Sequence, residues 1–213
     1  MGHDGTGPGI GGSGPQTGGP DLGGPGTGST VVAMVLAGGA GRRMDGADKA
    51  ALDLDGETFL ERVLATAAAV AGRLVVVGPP RPVGLERAVV FVQEAEPGGG
   101  PVPAVAAGLE ASGGASVVIV LAVDLPLLTP ADLGRLLTAL AVDPRADAAA
   151  ADHRGRPHPL LAAYRVDALR ATVASLGGSG RGQAAARLLP GRVALVDLGP
   201  TATLNVNTPA DLD

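Results

Sequence analysis

Residues 31–50 read VVAMVLAGGAGRRMDGADKA. The first six are apolar without interruption, and glycines follow at once. A strand that is apolar at every position has both faces covered, which is the habit of parallel sheets. The same kind of run returns as RLVVVG (73–78), AVVFV (88–92), SVVIVLAV (116–123) and RVALVDL (192–198), with shorter apolar stretches ADAAAA (146–151) and PLLAAY (159–164). Helical patterns fall between them. TFLERVLATAAAVA (58–71) sets Phe59, Val63, Leu64 and Val70 at helical spacing, and PVPAVAAGLEAS (101–112) is a helix opened by prolines. TPADLGRLLTALA (129–141) has a Thr cap, Pro at the first helical position and Asp in the first turn. Further helices are expected near 167–175 and 181–189, with a short one after Asn207-Thr208-Pro209. Strands alternating with helices predict an α/β architecture, a mainly parallel sheet with helices on both faces.

In such sheets ligands sit beyond the carboxyl ends of the strands. That rule selects the loop after Leu36 and the residue after Val123, and with them Gly38, Gly39, Gly41, Lys49 and Asp124. Lys49 is the only lysine beside fifteen arginines. Glycines after a first strand let backbone N–H groups approach phosphate oxygens. Neither familiar phosphate template fits. From Gly41 the Walker pattern reaches Gly46, but Ala47 and Asp48 follow; the dinucleotide fingerprint finds Gly39 and Gly41, then Met44. A long loop remains, carrying Arg42, Arg43 and Lys49. An ammonium on a flexible stem can follow a phosphate as its charge moves. Asp124 ends the most strand-like run, and Mg²⁺ typically takes one or two carboxylates together with substrate phosphates and waters. The convergence points to a nucleotide–Mg²⁺ site, against the plainer readings of a generic loop and a turn aspartate.

Composition narrows the rest. At 213 residues one domain is expected, with enough chain for a sizeable core. Only Phe59, Phe91 and Tyr164 are aromatic, and the net charge is -5, so a nucleic-acid partner is not expected. There is no cysteine, hence no disulfide and no thiolate chemistry. In residues 1–29, thirteen are Gly and four are Pro, with no Lys or Arg. Such a segment is neither a signal peptide nor able to bury surface, and it is expected to be a disordered tail ahead of a domain spanning 30–213. No apolar run of membrane length is free of breakers, so a soluble, cytoplasmic protein without a membrane partner is expected.

The motifs together resemble the molybdenum cofactor guanylyltransferases, the MobA-like family of the NTP-transferase superfamily. The signature runs Leu36-Ala37-Gly38-Gly39-Ala40-Gly41-Arg42-Arg43-Met44 with Asp48-Lys49 shortly after. PGGGPVPAVAAGL (97–109), AVDLPLL (122–128), HPLLAAY (158–164) and NVNTPADL (205–212) follow in the family's order. The resemblance implies a Rossmann-like three-layer fold of nucleotidyltransferase type. It implies transfer of GMP from Mg-GTP to the terminal phosphate of molybdopterin, with release of pyrophosphate and with a molybdoenzyme or cofactor-insertion protein as recipient. It implies that Leu36, Ala37, Gly38 and Gly39 line the nucleotide, that Lys49 contacts its phosphates with Arg43 assisting, and that Asp124 binds Mg²⁺, helped by Asn205 or Asn207. His158 and Arg181 fall in the half used for the pterin, and Asn205 is a further candidate for that second substrate. His158 also reads as a turn histidine between Pro157 and Pro159, and Arg181 as a solvated helix-start arginine.

Three positions depart from the family's pattern: Asp45 replaces a Gly, Gly78 an Asn that contacts the base, and Ala95 an Asp that contacts the nucleotide, leaving Glu94 or Glu96 as substitutes. These touch base recognition and leave the phosphate end intact. The alternatives are a CTP-using molybdopterin cytidylyltransferase, a sugar-phosphate nucleotidyltransferase, and a non-catalytic nucleotide-binding module.

Overall fold

The computed structural model describes residues 1, 30–38, 48–177, 180–206 and 211. The glycine-rich stretch 2–29, the loop 39–47 and most of the expected last helix lie outside them.

The chain begins with β1 (Val31–Leu36), a 3-10 turn at Lys49–Ala51, a hairpin of β2 (Asp53–Leu54) and β3 (Glu57–Thr58), and α1 (Phe59–Ala68). It continues through β4 (Arg73–Val77), β5 (Val89–Val92), α2 (Pro101–Ala111), β6 (Val117–Ala122) and α3 (Pro130–Val142). β7 (Ala148–Asp152), β8 (Pro157–Arg165), α4 (Val166–Ser175), a 3-10 turn at Ala185–Leu188 and β9 (Val193–Val196) complete it. Seven strands form one sheet in the order β5-β4-β1-β6-β8-β7-β9. All neighbours are parallel except β8, which runs against both β6 and β7. The reversal has a local cause: β7 and β8 are joined by a two-residue turn at Arg154-Gly155, both at positive φ, which forces an antiparallel return.

Alternate residues of the strands feed two cores. Ala33, Val35, Leu74, Val76, Ile119 and Leu121 pack beneath α1 and α3, while Val32, Met34, Val75, Val118 and Val120 pack beneath α2 and α4. The expected three layers are therefore present. α1 and α3 open with complete capping boxes, Thr58 with Glu61 and Thr129 with Asp132. Gly84 N–H and Thr58 also donate to Glu61, which holds its carboxyl below the usual range.

Two elements differ from expectation. The helix foreseen near 181–189 shrinks to the turn Ala185–Leu188. Gly180 and Gly182 sit at positive φ, Gly182 N–H is taken by Gly99 O at 2.8 Å, and Leu189 is extended ahead of Pro190. The β2–β3 hairpin was not expected, although its Asp55-Gly56 turn is a recognisable signal.

α2 crosses the sheet at Gly108, where an added Cβ would lie 2.5 Å from Met34 Sδ and 3.0 Å from its Cγ. Met34 is fully buried. Gly108→Ala is expected to destabilise by about 1–2 kcal/mol, overpacking of about 1–3 less a helix gain of about 0.5–1. Met34→Val in the same chain should recover part of it, as read from urea midpoints.

Candidate active site

The ends of the parallel strands are level. Leu36 pairs with Val77 on one side and with Ala122 on the other. The residues that follow therefore meet at one edge: Ala37 N–H donates to Val77 O at 2.9 Å, Val123 N–H to Leu36 O at 3.2 Å, and Gly78 N–H to Val92 O at 2.8 Å. β6 is the fourth of the seven strands, so Asp124 stands at the middle of this edge.

Lys49 reaches it from the 3-10 turn, its Nζ lying 3.4 Å from Asp124 Oδ2. Both side chains remain partly open, at 28% and 22% exposure, so each can still meet a ligand. The turn is held by its cap. Asp48 Oδ1 accepts from Ala50 N–H at 3.1 Å, Asp48 Oδ2 accepts from Arg81 at 2.6 Å, and Ala50 is buried. Arg81 comes from the loop after β4, and its buried Nε has no partner among the described residues. Sequence reading missed Arg81; it lies among prolines with no periodic signal.

Leu36 and Ala37 are nearly buried at the end of β1, and Gly38 is exposed beyond them. Gly78 runs tight against this segment. A Cβ there would lie 3.0 Å from Ala37 C and from Gly38 N, which accounts for a glycine where the family pattern has Asn. Of the two carboxylates named as substitutes near Ala95, Glu94 is buried to 9% exposure, accepts from Gly98 N–H at 3.2 Å, and turns Oε2 to within 4.0 Å of a Cβ built on Gly38. Glu96 is exposed and pairs with Arg181 at 3.1 Å.

On the other side of Asp124 lies His158, at the start of β8. Burial holds its imidazole below the usual range, His153 pushes the same way, and the charge of Asp124 pulls partly back. The two imidazole rings meet edge to face with centroids 6.1 Å apart, and His158 Nδ1 is buried without a partner. Tyr164, whose phenol burial pushes up, donates to Pro159 O at 2.7 Å and holds the strand just past His158. Val206 N–H donates to Asp124 O at 2.9 Å, which brings the exposed Asn205 beside the same residue. The structure thus gathers Leu36, Ala37, Gly38, Lys49, Asp124, His158 and Asn205 at one edge, whereas Arg181 is engaged by Glu96. Gly39, Arg43 and Asn207 lie outside the described residues.

Residues 33–193 match the family model of the MobA-like NTP transferase domain. A molybdenum cofactor guanylyltransferase of Acidiphilium cryptum is 37% identical over 194 residues, covering 88% of this chain and 94% of that one. Its counterpart from Rhodobacter capsulatus is 38% identical over 186 residues, covering 85% and 93%. Among solved structures, the molybdopterin-guanine dinucleotide biosynthesis protein A of Archaeoglobus fulgidus superposes with a TM-score of 0.64 at 24% identity, covering 85% of this chain and 94% of that chain, a likeness of fold.

The Asp48–Arg81 pair predicts a coupling between the loop after β4 and the turn of Lys49. Arg81→Ala and Asp48→Ala should each lower stability, and the double variant should cost less than their sum by roughly 0.5 kcal/mol, as read from denaturant unfolding.

Proposed function

The chain belongs to the MobA-like NTP transferase family, and from that premise we propose that it transfers GMP from GTP to the terminal phosphate of molybdopterin, a reading supported by relatives named molybdenum cofactor guanylyltransferase. The observation that carries the reading is the meeting of Lys49 with Asp124 at the end of the central strand, at the edge where Gly38 follows β1.

An oxygen of the acceptor's ionised phosphate attacks the α-phosphorus. The bond from that phosphorus to the bridging oxygen breaks, and pyrophosphate leaves with the electron pair. A phosphoanhydride joins the two substrates. The attacking oxygen is already ionised, so no protein nucleophile and no general base is needed. Catalysis then consists of positioning and of neutralising charge. Lys49 carries three donors, enough to bridge Asp124 and phosphate oxygens together. The backbone of Ala37 and Gly38 supports the nucleotide against β4.

Among the described residues no group of three or more His, Asp or Glu could hold a metal ion by itself. A single partly open carboxylate nevertheless suits Mg²⁺, which keeps waters and binds substrate phosphates. Asp124 would hold it, with Asn207 as the further ligand proposed from the sequence. Bound there, Mg²⁺ would neutralise charge on the phosphates.

Base choice is assigned to Glu94. The Watson–Crick edge of guanine presents two adjacent donors, N1–H and N2–H, which an acceptor-only carboxylate can take together. Adenine and cytosine place a ring acceptor there and are repelled. Gly78 leaves room for the backbone, and Glu94 supplies the discrimination.

Three measurements test this reading. Thermal unfolding with GTP, CTP or ATP, each with and without Mg²⁺, should show stabilisation by GTP of about 2.7 kcal/mol at a hundredfold excess over its dissociation constant. A CTP-selective shift would move the assignment to cytidylyl transfer. Lys49→Ala should lower the rate of GMP transfer by about 10²–10³; a wild-type rate in that variant would remove Lys49 from the mechanism. Glu94→Gln should narrow the preference for GTP over CTP and ATP by about tenfold, since one charged acceptor is lost.

A further inference from the structure

The turn between β7 and β8 reads Asp152-His153-Arg154-Gly155-Arg156-Pro157-His158. In a chain of net charge -5 it holds two arginines and two of the three histidines. Its geometry is tight. His153 N–H donates to Arg156 O at 2.8 Å, Arg156 N–H returns to His153 O at 3.2 Å, and Gly155 N–H donates to Asp152 Oδ1 at 2.6 Å. That last bond engages one oxygen of the turn's one carboxylate. Arg154 and Arg156 are exposed, and neither guanidinium has a partner among the described residues.

Arg154 lies at φ 57, in the left-handed region that disfavours a long side chain. The molecule contains the same device elsewhere. In the β2–β3 turn Gly56 N–H donates to Asp53 Oδ1, and the residue at the corresponding positive φ is Asp55, an ordinary choice for such a turn. An arginine accepted where Asp, Asn or Gly fits better points to a use for its charge.

The position of the hairpin says what that use is. The β6–β8 ladder ends at Leu121 opposite Leu161; β8 reaches back beyond it to His158, which lies close enough to Asp124 to feel its charge. From His158 the hairpin continues for three residues to Gly155, about 10 Å past the central aspartate. Gly38, Gly78 and Glu94 follow β1, β4 and β5, on the opposite side of β6. In-line transfer at the α-phosphorus brings the acceptor in from the side away from the leaving pyrophosphate, so a second polyanion needs its own cations.

We propose that the β7–β8 hairpin is the anion subsite for the phosphate-bearing end of the acceptor, with Arg154 and Arg156 as its cations and the half-buried ring of His158 at its base. The subsite rests on the GMP-transfer reading of this edge and adds the residues that hold the second substrate. Guanidinium groups suit it because their fork matches phosphate oxygens in pairs.

The test uses Arg154→Asn, which tolerates positive φ, combined with Arg156→Gln, so that the turn is kept and the charge removed. The double variant should unfold at or slightly above the wild-type midpoint and keep the wild-type thermal shift with GTP. Its KM for molybdopterin should rise by at least about tenfold, and the salt dependence of that KM should flatten. An unchanged KM with unchanged salt dependence overturns the subsite. A second readout does not depend on turnover. Inorganic phosphate, titrated into the wild-type chain, should shift the ring resonances of His153 and His158 saturably, and at least about tenfold more weakly in the double variant. Absence of any shift in the wild type also overturns it. A wild-type chain that binds phosphate there but makes no pyrophosphate from GTP and molybdopterin sinks the proposed reaction and leaves the anion subsite standing.

Discussion

β1 lies between β4 and β6, and every residue from Val32 to Leu36 is buried. Its register is therefore fixed from both faces. Val32, Met34 and Leu36 belong to the core under α2 and α4, Ala33 and Val35 to the core under α1 and α3. A slip of one residue would exchange these sets and drive Met34 away from its contact with Gly108. With the register held, Leu36 stays level with Val77 and Ala122, and the strand ends deliver Gly38, Gly78 and Asp124 to one line. The chemistry of the edge depends on that packing.

The site divides rigid from mobile parts. The backbone around Lys49 is pinned by the Asp48 cap, by the buried Ala50 and by Arg81. The side chain itself keeps a flexible four-carbon stem. A pinned base with a mobile tip suits the role proposed for Lys49, a cation that follows phosphates during transfer; the planar fork of Arg would fix one geometry. This is a physical reason for a lysine in a chain that writes its other fixed cations as arginine.

Much of this architecture was legible because its signals are local. Continuous apolar runs marked β1, β4 and β6, and the Thr129-Pro130 cap marked α3. Lys49 and Asp124 could be picked out because strand ends are where ligands go. What stayed hidden depended on contacts distant in sequence or on weak propensity. β7, legible only as a short apolar stretch, is four alanines and an aspartate, a poor strand former by itself, and its place in the sheet comes from pairing with β8 and β9. The reversal of β8 hangs on two residues at positive φ. The stretch that ends in the turn at Ala185–Leu188 looked like a helix because the bond from Gly182 N–H to Gly99 O ahead of that turn cannot be read from its own residues. Arg81 and the arginines of the β7–β8 turn have no periodicity that marks them; only the folded sheet brings them to the edge.

The bond from Val206 to the carbonyl of Asp124 has a consequence for how the protein comes into being. Lys49 and Asp124 are 75 residues apart, and the segment that buttresses Asp124 is made more than 80 residues later still, from Asp124 to Val206. Domains grow from the amino terminus during synthesis. A ribosome can therefore carry a chain whose central strands have already paired while Asp124 still lacks its last support. The full constellation closes only after residue 206 emerges, so the central strands can pair well before the edge they present is complete.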